Sequence, residues 1–456
     1  MVLRRQDTSQ DNRPEYRRFR VFTRNDLDRI PQLSNLSEQV RFDMKVISAV
    51  LPFRVNEYVI DELIDWNNIP KDPIYQMAFP QRGMLDEVHF ERMADAILRD
   101  ASVEEIKNIA NSIRAELNPH PAGQMELNIP RDESGERFNG IQHKYKETVL
   151  FFPTQGQTCH SYCTFCFRWA QFVGDRSLRI ASKEADILHT YLREHKEVTD
   201  LLVTGGDPMI MKTKHLRKYL EPLLQPEFEH IQNVRIGTKA LTFWPHRFVS
   251  DDDADDLLEL LTQLVNAGKN IAVMAHYNHW RELDSEIAHT AIQRLRSTGA
   301  EIRSQGPLLA HINDNAEDWA RLWNDQVKLG IFPYYMFVER DTGARTWFEV
   351  PLKKAWNIYR EAMMQVSGLA RTARGPSMST GPGKVEIQGV TEIAGEKVFV
   401  LRFIQGRNPD WVQKPFFARY DSKATWLNDL QPAFGEKEFF FEAEYNSMLD
   451  DGSVGP

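Results

Sequence analysis

Cysteine is scarce in this chain. Only three of the 456 residues are cysteines, and all three, Cys159, Cys163 and Cys166, fall within eight consecutive positions. A disulfide framework would use an even number of cysteines spread through the chain, whereas this odd trio leaves at least one thiol unpaired. The scarcity therefore argues against a disulfide-stabilised scaffold and favours a metal or cluster site.

Long apolar runs and excess positive charge are also missing. No segment is apolar for long enough to span a bilayer, and the opening residues, M-V-L-R-R-Q-D, lack the apolar core of a signal peptide. The formal net charge is -9, and no strongly basic stretch lies beyond the first twenty residues. Nucleic-acid binding depends on clustered positive charge, so we expect no nucleic-acid partner. Because a spanning segment and a signal peptide are both missing, we expect a cytoplasmic protein with no membrane partner.

The composition is that of an ordinary globular protein, with 42% hydrophobic and 27% charged residues. The length suggests two or three cooperating units. Apolar residues follow a helical spacing in segments such as 36–42 and 90–98, and a stretch rich in Pro, Gly and Asn at 118–123 then breaks the pattern. The sequence predicts a helical N-terminal region over residues 1–140.

After this break, short apolar runs alternate with amphipathic helices, as is typical of βα units in a parallel sheet. Six runs predict strands, at 149–152, 201–204, 234–237, 271–274, 301–304 and 332–337. Ser250, with Asp253 three residues on, predicts a helix start, and Gly268 and Gly299 predict helix ends. About six such units curl into a complete or partial barrel with its chemistry at the C-terminal ends of the strands. The predicted fold class is α/β, a partial (β/α)6 barrel over residues 141–340.

The last hundred residues combine turn-rich and strand-like pieces with many aromatic side chains. The most conspicuous aromatics are Trp411, Phe416, Phe417, Trp426 and the run 439–441. We assign residues 341–456 to a separate C-terminal region.

The cysteines form a CxxxCxxC pattern directly after the first predicted strand. Iron–sulfur clusters are held by thiolates at such short spacings. Three protein ligands on a four-iron cluster would leave one iron open to chelate a small molecule. A zinc site with His160 as fourth ligand is an alternative, and a redox pair formed by Cys163 and Cys166 is another, which would leave Cys159 without a role.

With the aromatic Phe165 before its last cysteine, the motif resembles that of the radical S-adenosylmethionine (SAM) superfamily. The segment L-L-V-T-G-G-D-P at 201–208 is similar to the superfamily's GGE-type motif, which receives the methionine amino group. Glycines such as Gly205 and Gly206 allow close backbone approach, and Asp207 can accept from an ammonium group. The resemblance implies a 4Fe-4S cluster and SAM as cofactors.

A narrower resemblance is to the lysine 2,3-aminomutase family. It covers roughly residues 22–403 and is carried, in order, by the segments at 166–168, 234–238, 276–279, 308–314, 333–335 and 381–384. The resemblance implies pyridoxal phosphate (PLP), bound as a Schiff base by Lys384. Only a deprotonated amine forms an imine, so the site must lower the pKa of this lysine. We expect the glycines beside Lys384 to leave room for the cofactor ring.

The resemblance assigns further residues to the cofactors and the substrate. Lys144 and Tyr145 match the phosphate-binding stretch, with lysine where the family usually has arginine, and Arg235 is placed at the cofactor site. Arg168 matches the arginine that holds the substrate carboxylate, a role that suits its fork of donors. The alternative for Arg168 is an ordinary surface arginine.

Specificity for lysine in the family depends on two acids that receive the distant ammonium group. Asp314 matches the first acid, and Ser377 stands at the position of the second. A hydroxyl holds an ammonium group less well than a carboxylate does, so lysine becomes a doubtful substrate. The alternative for Asp314 is that it only helps to start a helix.

Together these resemblances imply an isomerase, a radical SAM and PLP-dependent amino acid 2,3-aminomutase. The alternatives are an enzyme that acts on another amino acid, such as arginine or glutamate, or that catalyses elimination, and a non-catalytic iron–sulfur protein that binds a partner through its aromatic tail. The expected partners are a small amino acid substrate and a reducing electron donor such as flavodoxin or ferredoxin. We also expect a homo-oligomer.

Overall fold

The computed structural model describes residues 17–132, 134–174, 180–182 and 185–450. The N-terminal part contains four helices and a small antiparallel sheet: α1 (Glu38–Val50), α2 (Pro73–Ala78), α3 (Glu87–Leu98), α4 (Val103–Glu116), β1 (Val21–Thr23) and β2 (Arg54–Asn56). Each helix begins after a serine or aspartate whose side chain accepts a backbone N–H three residues on. The segments at 36–42 and 90–98 are largely helical, as the spacing predicts.

Eleven strands of the described chain form one sheet. They are β3 (Ile141–Tyr145), β4 (Thr148–Phe151), β5 (Asp200–Val203), β6 (Asn233–Thr238), β7 (Asn270–His276), β8 (Glu301–Leu308), β9 (Phe332–Val338), β10 (Arg374–Ser379), β11 (Gly383–Ile393), β12 (Glu396–Gly406) and β13 (Pro415–Arg419). Their spatial order follows the sequence, and β4 to β10 are all parallel. The six predicted strands are β4 to β9.

The sequence did not predict a seventh parallel strand, β10, or the antiparallel strand β3, and for the antiparallel strands β11 to β13 it indicated only strand-like pieces. The segment R-G-P-S-M-S of β10 contains glycine and proline and no β-branched residue, so it carries no strand signal. The same sheet continues beyond residue 340 into the C-terminal region.

The sheet is strongly curved. Residues from six strands, β5 to β10, line a single cavity. In a flat sheet the first and last of six strands would lie roughly 24 Å apart, so the sheet must curve for both to reach the same cavity. Within the described residues the edge strands are β3 and β13. The α/β fold class is confirmed, and the sheet forms an open, partial barrel.

Helices connect the strands and continue to the C-terminal region. They are α5 (Ala185–Glu194), α6 (Thr213–Leu220), α7 (Ala240–Phe243), α8 (Ala254–Asn266), α9 (Glu286–Ser297), α10 (Ala316–Lys328), α11 (Arg345–Phe348), α12 (Leu352–Met364) and α13 (Glu442–Asp450). No helix of the described chain is long and apolar enough to cross a membrane.

The predicted C-terminal ends of α8 and α9 are confirmed, whereas the predicted start of α8 is not. Gly268 and Gly299 follow these helices with φ of +87° and +86°, the left-handed conformation that favours glycine. The prediction that Ser250 caps α8 is wrong. The Ser250 hydroxyl instead bonds the His246 ring, and Asp253 occupies the N-cap position.

The C-terminal region has its own apolar core. Phe399, Leu401 and Phe403 of β12 are fully buried, and the tail residues Phe439 and Phe441 are 6% and 3% exposed. Phe403 and Phe441 meet edge to face with ring centroids 4.9 Å apart. The aromatic tail therefore packs against the outer part of the sheet.

Candidate active site

A cavity of about 250 Å³ lies at the C-terminal ends of the parallel strands. All three cysteines line it, together with Arg168 and the Gly205–Asp207 turn. These are the groups that the sequence places after the first and second strands. The curved sheet therefore brings both motifs to one space, as barrel architecture predicts.

The N-terminal region fixes the conformation of the cysteine loop. The Ser161 hydroxyl accepts the backbone N–H of Asn56 at 2.9 Å. The N–H of Tyr162 donates to the Arg54 carbonyl at 2.8 Å, and the N–H of Thr164 donates to the Met77 carbonyl at 2.9 Å. Three successive parts of the loop are thus held by residues more than eighty positions earlier in the chain.

The cysteines suit a cluster better than a single metal ion. Burial raises the pKa of the Cys166 thiol to about 11 and also raises the pKa of Cys159 and Cys163. Thiolates here need compensating positive charge, which cluster iron supplies. Among the described residues, no three His, Cys, Asp or Glu side chains converge as ligands of one ion would, whereas cubane ligands sit on different iron atoms.

His160 does not support the zinc alternative. It is absent from the residues that line the cavity, and its ring packs edge to face against Phe19, with centroids 5.5 Å apart. Burial lowers the pKa of His160 to about 3. A fourth ligand for zinc would have to face the same space as the thiols.

The Gly205–Gly206 pair is required by the cysteine loop itself. A Cβ on Gly206 would lie 2.5 Å from backbone atoms of Thr158, and Gly205 has a φ of +141°. The N–H of Asp207 donates to the Thr158 carbonyl at 2.8 Å. The sequence predicted that these glycines let a ligand approach the backbone closely. In the structure it is the backbone of Thr158 that approaches Gly206.

Asp207 lines the cavity, but its carboxylate already has neighbours. It accepts the Thr238 hydroxyl at 2.7 Å and the backbone N–H groups of Met209 and Lys239, each at 2.9 Å. Burial raises the pKa of Asp207 to about 6 despite these bonds. The bonds fix the turn and link the ends of β5 and β6.

Arg168 is half-buried and lines the cavity, unlike an ordinary surface arginine. Its Nη1 donates to the Thr204 hydroxyl at 2.7 Å and to the Gly205 carbonyl at 3.0 Å. Burial lowers the pKa of Arg168 to about 10, so the guanidinium stays charged at neutral pH. Phe165, also predicted at the cofactor site, lies in the cavity wall and stacks on His276, with ring centroids 6.0 Å apart.

Lys384 lies on β11, next to aromatic rings of β9, and is not among the residues that line the cavity. Its Nζ is 4.1 Å from the ring centroid of Tyr335 and 5.5 Å from that of Phe337. Burial, with repulsion from Arg235 and Arg374, lowers the pKa of Lys384 to about 7. This amine is therefore partly neutral near pH 7, as imine formation requires.

The glycines beside Lys384 have a different role from the one predicted. A Cβ on Gly381 would lie 2.3 Å from the Tyr445 hydroxyl, and one on Gly383 would lie 2.3 Å from the Gln405 carbonyl oxygen. The space beside these glycines is occupied by Tyr445 and Gln405 of the chain itself, so it is not left open for a cofactor ring.

Several cations gather around Lys144 and Tyr145. The Nζ of Lys144 donates to the Thr380 carbonyl at 2.5 Å and lies 5.4 Å from the Tyr145 ring centroid. Burial, with repulsion from Arg407, Arg340 and Lys384, lowers the pKa of Lys144 well below its usual value. Such a cluster suits a phosphate group.

Arg235, also predicted to bind cofactor, is engaged elsewhere. Its Nε donates to Asp200 at 2.8 Å, and the described cavity wall does not include it. Its charge still reaches Lys384, whose pKa it helps to lower.

Asp314 and Ser377, the two residues predicted to bind the side chain of the substrate, are not part of the cavity wall. Asp314 pairs with Lys354, with Nζ and Oδ2 2.6 Å apart, and precedes helix α10. Ser377 is fully buried within β10, and its hydroxyl lies 3.5 Å from the Met336 carbonyl. Neither residue is among those that line the cavity, and the same holds for Lys144, Tyr145 and Lys384.

Sequence reasoning missed Glu339 and Arg340, which follow β9 and line the cavity. Burial raises the pKa of Glu339 well above its usual value. The Nη2 of Arg340 donates to the Pro121 carbonyl at 3.2 Å, whereas its buried Nε has no partner in the described structure. The rule that strand C-termini carry the chemistry could have identified this pair.

The curved parallel sheet, with its cysteine loop after one strand and its Gly-Gly-Asp turn after the next, defines a radical SAM enzyme. No family model matches the chain. A protein of Aquifex aeolicus described as a putative L-lysine 2,3-aminomutase is 30% identical over 91% of this chain and 96% of its own length. The L-lysine 2,3-aminomutase of Bacillus subtilis is 26% identical over 83% of this chain and 70% of its own. The chain therefore belongs to the lysine 2,3-aminomutase family, which confirms the prediction of an isomerase.

Two solved structures show weak similarity to this chain. SuiB of Streptococcus suis bound to S-adenosylmethionine matches with a TM-score of 0.34 and 14% identity, over 61% of this chain and 58% of that one. A radical SAM methyltransferase from Sphaerobacter thermophilus matches with a TM-score of 0.34 and 12% identity, over 60% and 85%.

Proposed function

We propose that this protein is a cytoplasmic, PLP-dependent amino acid 2,3-aminomutase whose substrate carries an acidic side chain rather than the ammonium group of lysine. The observation that carries the substrate assignment is the cavity position of Arg340. Family membership supports the reaction class, with SAM and a 4Fe-4S cluster as cofactors.

The residues around Lys384 support PLP as the second cofactor. A buried amine with a pKa of about 7 is available to a carbonyl group. The cations near Lys144 would hold a phosphate. The chemistry that the bound cofactors supply is radical formation at the cluster with SAM, and delocalisation of the unpaired electron by PLP.

The chain's own groups would bind and orient the substrate. Arg168 would hold the α-carboxylate, since its guanidinium is charged and faces the cavity. The apolar wall formed by Phe165, Met274 and Phe337 would exclude water from the reacting atoms.

The charges of the cavity favour an anionic side chain. Arg340 has a buried Nε without a partner in the described structure, and burial holds Glu339 towards its neutral form. Lys239 is already paired with Glu282. The Asp207 carboxylate is already held by the Thr238 hydroxyl and two backbone N–H groups. Arg168 and Arg340 are therefore the lining cations that can meet the substrate, and they would repel an ammonium group. Arginine as substrate, or an elimination reaction, has no comparable observation in its favour.

Anaerobic reconstitution followed by mass spectrometry tests this proposal. Protein carrying the cluster and PLP is supplied with SAM, a reductant and, separately, glutamate, aspartate, lysine and arginine. We expect a β-amino product from an acidic amino acid. Turnover of lysine alone would refute the substrate assignment, and absence of 5'-deoxyadenosine with every amino acid would refute the radical SAM activity.

The variant Arg340→Gln tests the substrate contact directly. Loss of a charge-assisted hydrogen bond costs about 1.5–3 kcal/mol, so kcat/KM for the acidic substrate should fall roughly 10- to 150-fold. Arg360→Gln, on the exposed side of α12, is the matched control and should leave kcat/KM unchanged. An equal loss in both variants would contradict the role of Arg340.

A further inference from the structure

A second, larger cleft of about 770 Å³ lies between the N-terminal region and the cysteine loop. Its wall carries four cations, Arg24, Arg54, Lys107 and Arg114, and among its described lining residues there is no aspartate or glutamate. We call it the cationic cleft. The chain as a whole has a net charge of -9, so this local excess of positive charge stands out from its surroundings.

The cationic cleft and the active-site cavity share part of one wall. Tyr162 and Phe172 line both spaces. Their rings are stacked, with centroids 4.4 Å apart. Tyr162 belongs to the cysteine loop, between Cys159 and Cys163, and its backbone N–H donates to the Arg54 carbonyl at 2.8 Å. Among the described residues, this aromatic pair is the wall that the cleft and the candidate cluster site share.

We propose that the cationic cleft docks an acidic one-electron donor protein, which reduces the cluster across the Tyr162–Phe172 wall. The inference rests on the proposed radical SAM activity, which consumes electrons. In each transfer the donor is oxidised by one electron and the cluster is reduced by one, and no bond forms or breaks. A low-potential flavin or iron–sulfur protein is the chemical class that supplies such electrons.

Charge explains why an acidic protein is favoured over other occupants. A chain of net charge -9 repels an acidic partner on average, and a local positive surface would steer the encounter and fix its orientation. Electron-transfer interfaces are small and transient, so a cleft with exposed cations at Arg24 and Lys107 is sufficient. The chain's own residues 1–16 carry three arginines and three acids, and so offer no net negative charge.

The test uses the reconstituted holoenzyme and a double charge reversal, Arg24→Glu with Lys107→Glu. Both side chains are exposed and have no role in the active-site cavity. The matched control is Lys214→Glu with Lys218→Glu, two exposed lysines on α6. SAM cleavage is measured with reduced flavodoxin and, separately, with dithionite, which needs no docking surface.

We expect the cleft variant to lose at least tenfold in flavodoxin-driven kcat/KM at low salt and to keep its dithionite-driven rate. The control should keep both rates. A similar loss with both reductants, or no loss with flavodoxin, would overturn the proposal. So would a change in oligomeric state of the cleft variant on light scattering, because it would assign the cleft to contacts between copies of this chain.

A binding measurement separates this proposal from the proposed function. Flavodoxin is titrated against reconstituted protein, and its Kd should rise at least tenfold in the cleft variant and with added salt. If the wild-type protein cleaves SAM with neither reductant, the proposed function fails while this titration still decides the docking site. Equal Kd values for the cleft variant and the wild type would refute docking at the cleft.

Discussion

Lys384 shows a conflict between stability and function at the scale of one residue. Its pKa is 10.5 in an ordinary setting and about 7 in the folded protein, chiefly because of burial. Between these values the unfolded chain binds more protons than the folded chain, so the free energy of unfolding rises with pH from about 7 to 10.5. Near pH 7 and below, the buried lysine therefore destabilises the apo-protein.

Replacing Lys384 by methionine should stabilise the apo-protein at pH 7, by up to a few kcal/mol, because each unit of pKa shift corresponds to about 1.4 kcal/mol. The gain should shrink as the pH approaches 10.5. Urea unfolding of both proteins at pH 7 and pH 10 measures this difference. Lys218→Met, at an exposed lysine, should change neither value, and a destabilised Lys384→Met would contradict the argument.

The same residue gives a prediction about PLP. Lys384→Ala should abolish the visible absorbance band of bound cofactor, and in the wild type the rate of incorporation should increase as the pH rises through 7, because the neutral amine reacts. Spectrophotometric titration with PLP at several pH values measures both effects. A retained band would refute the assignment of Lys384.

At the scale of elements, the loop after β4 and the turn after β5 form one unit. Residues 157–158 occupy the space that side chains at Gly205 and Gly206 would fill. Backbone bonds from Gly206 and Asp207 to the carbonyls of Gly156 and Thr158 join the two segments. The position of the cysteines therefore depends on the second strand as well as the first.

Gly206→Ala should disturb this unit. The added Cβ would lie 2.5 Å from backbone atoms of Thr158, and such overpacking typically costs 1–3 kcal/mol. We expect a lower free energy of unfolding and a lower iron content after anaerobic reconstitution. Gly368→Ala is the control, because its Cβ would meet nothing within 4 Å. Normal iron content in Gly206→Ala would contradict this account.

At the scale of the whole molecule, three apolar cores meet around the curved sheet. One lies between the sheet and its helices, one in the N-terminal region and around the cysteine loop, and one in the C-terminal region. The N-terminal region is tied to the barrel by the Asn56 side chain, which donates to the Phe243 carbonyl at 2.7 Å. We retain the division at residues 140 and 340 as a proposal, although one sheet crosses the second boundary.

The aromatic tail should contribute to the stability of the whole molecule. Phe441 is 3% exposed and packs on Phe403 and Phe416, whereas its neighbour Phe440 is 45% exposed. Phe441→Ala should cost about 3–5 kcal/mol, and Phe440→Ala should cost much less. Chemical denaturation of both variants measures the difference. Similar values would mean that the tail is not part of the core.

The repeated βα pattern follows from the sequence alone, because buried parallel strands must be short, apolar and separated by amphipathic helices. So do the cysteine motif and the lysine in the glycine-rich segment, since their chemistry depends on residue type and local spacing. The strand β10 escaped prediction because its sequence carries no strand signal.

Which charged groups face the cavity depends on the folded arrangement of the strands and loops. Asp314 pairs with Lys354 outside the wall, whereas Arg340 lines it. The pKa of Lys384 depends in part on Arg235, which is distant in sequence. The cationic cleft joins residues from four segments of the chain, 23–25, 48–54, 103–114 and 162–174. Electrostatic interactions and burial depend on distances between side chains, and the folded sheet, not the spacing along the chain, sets those distances.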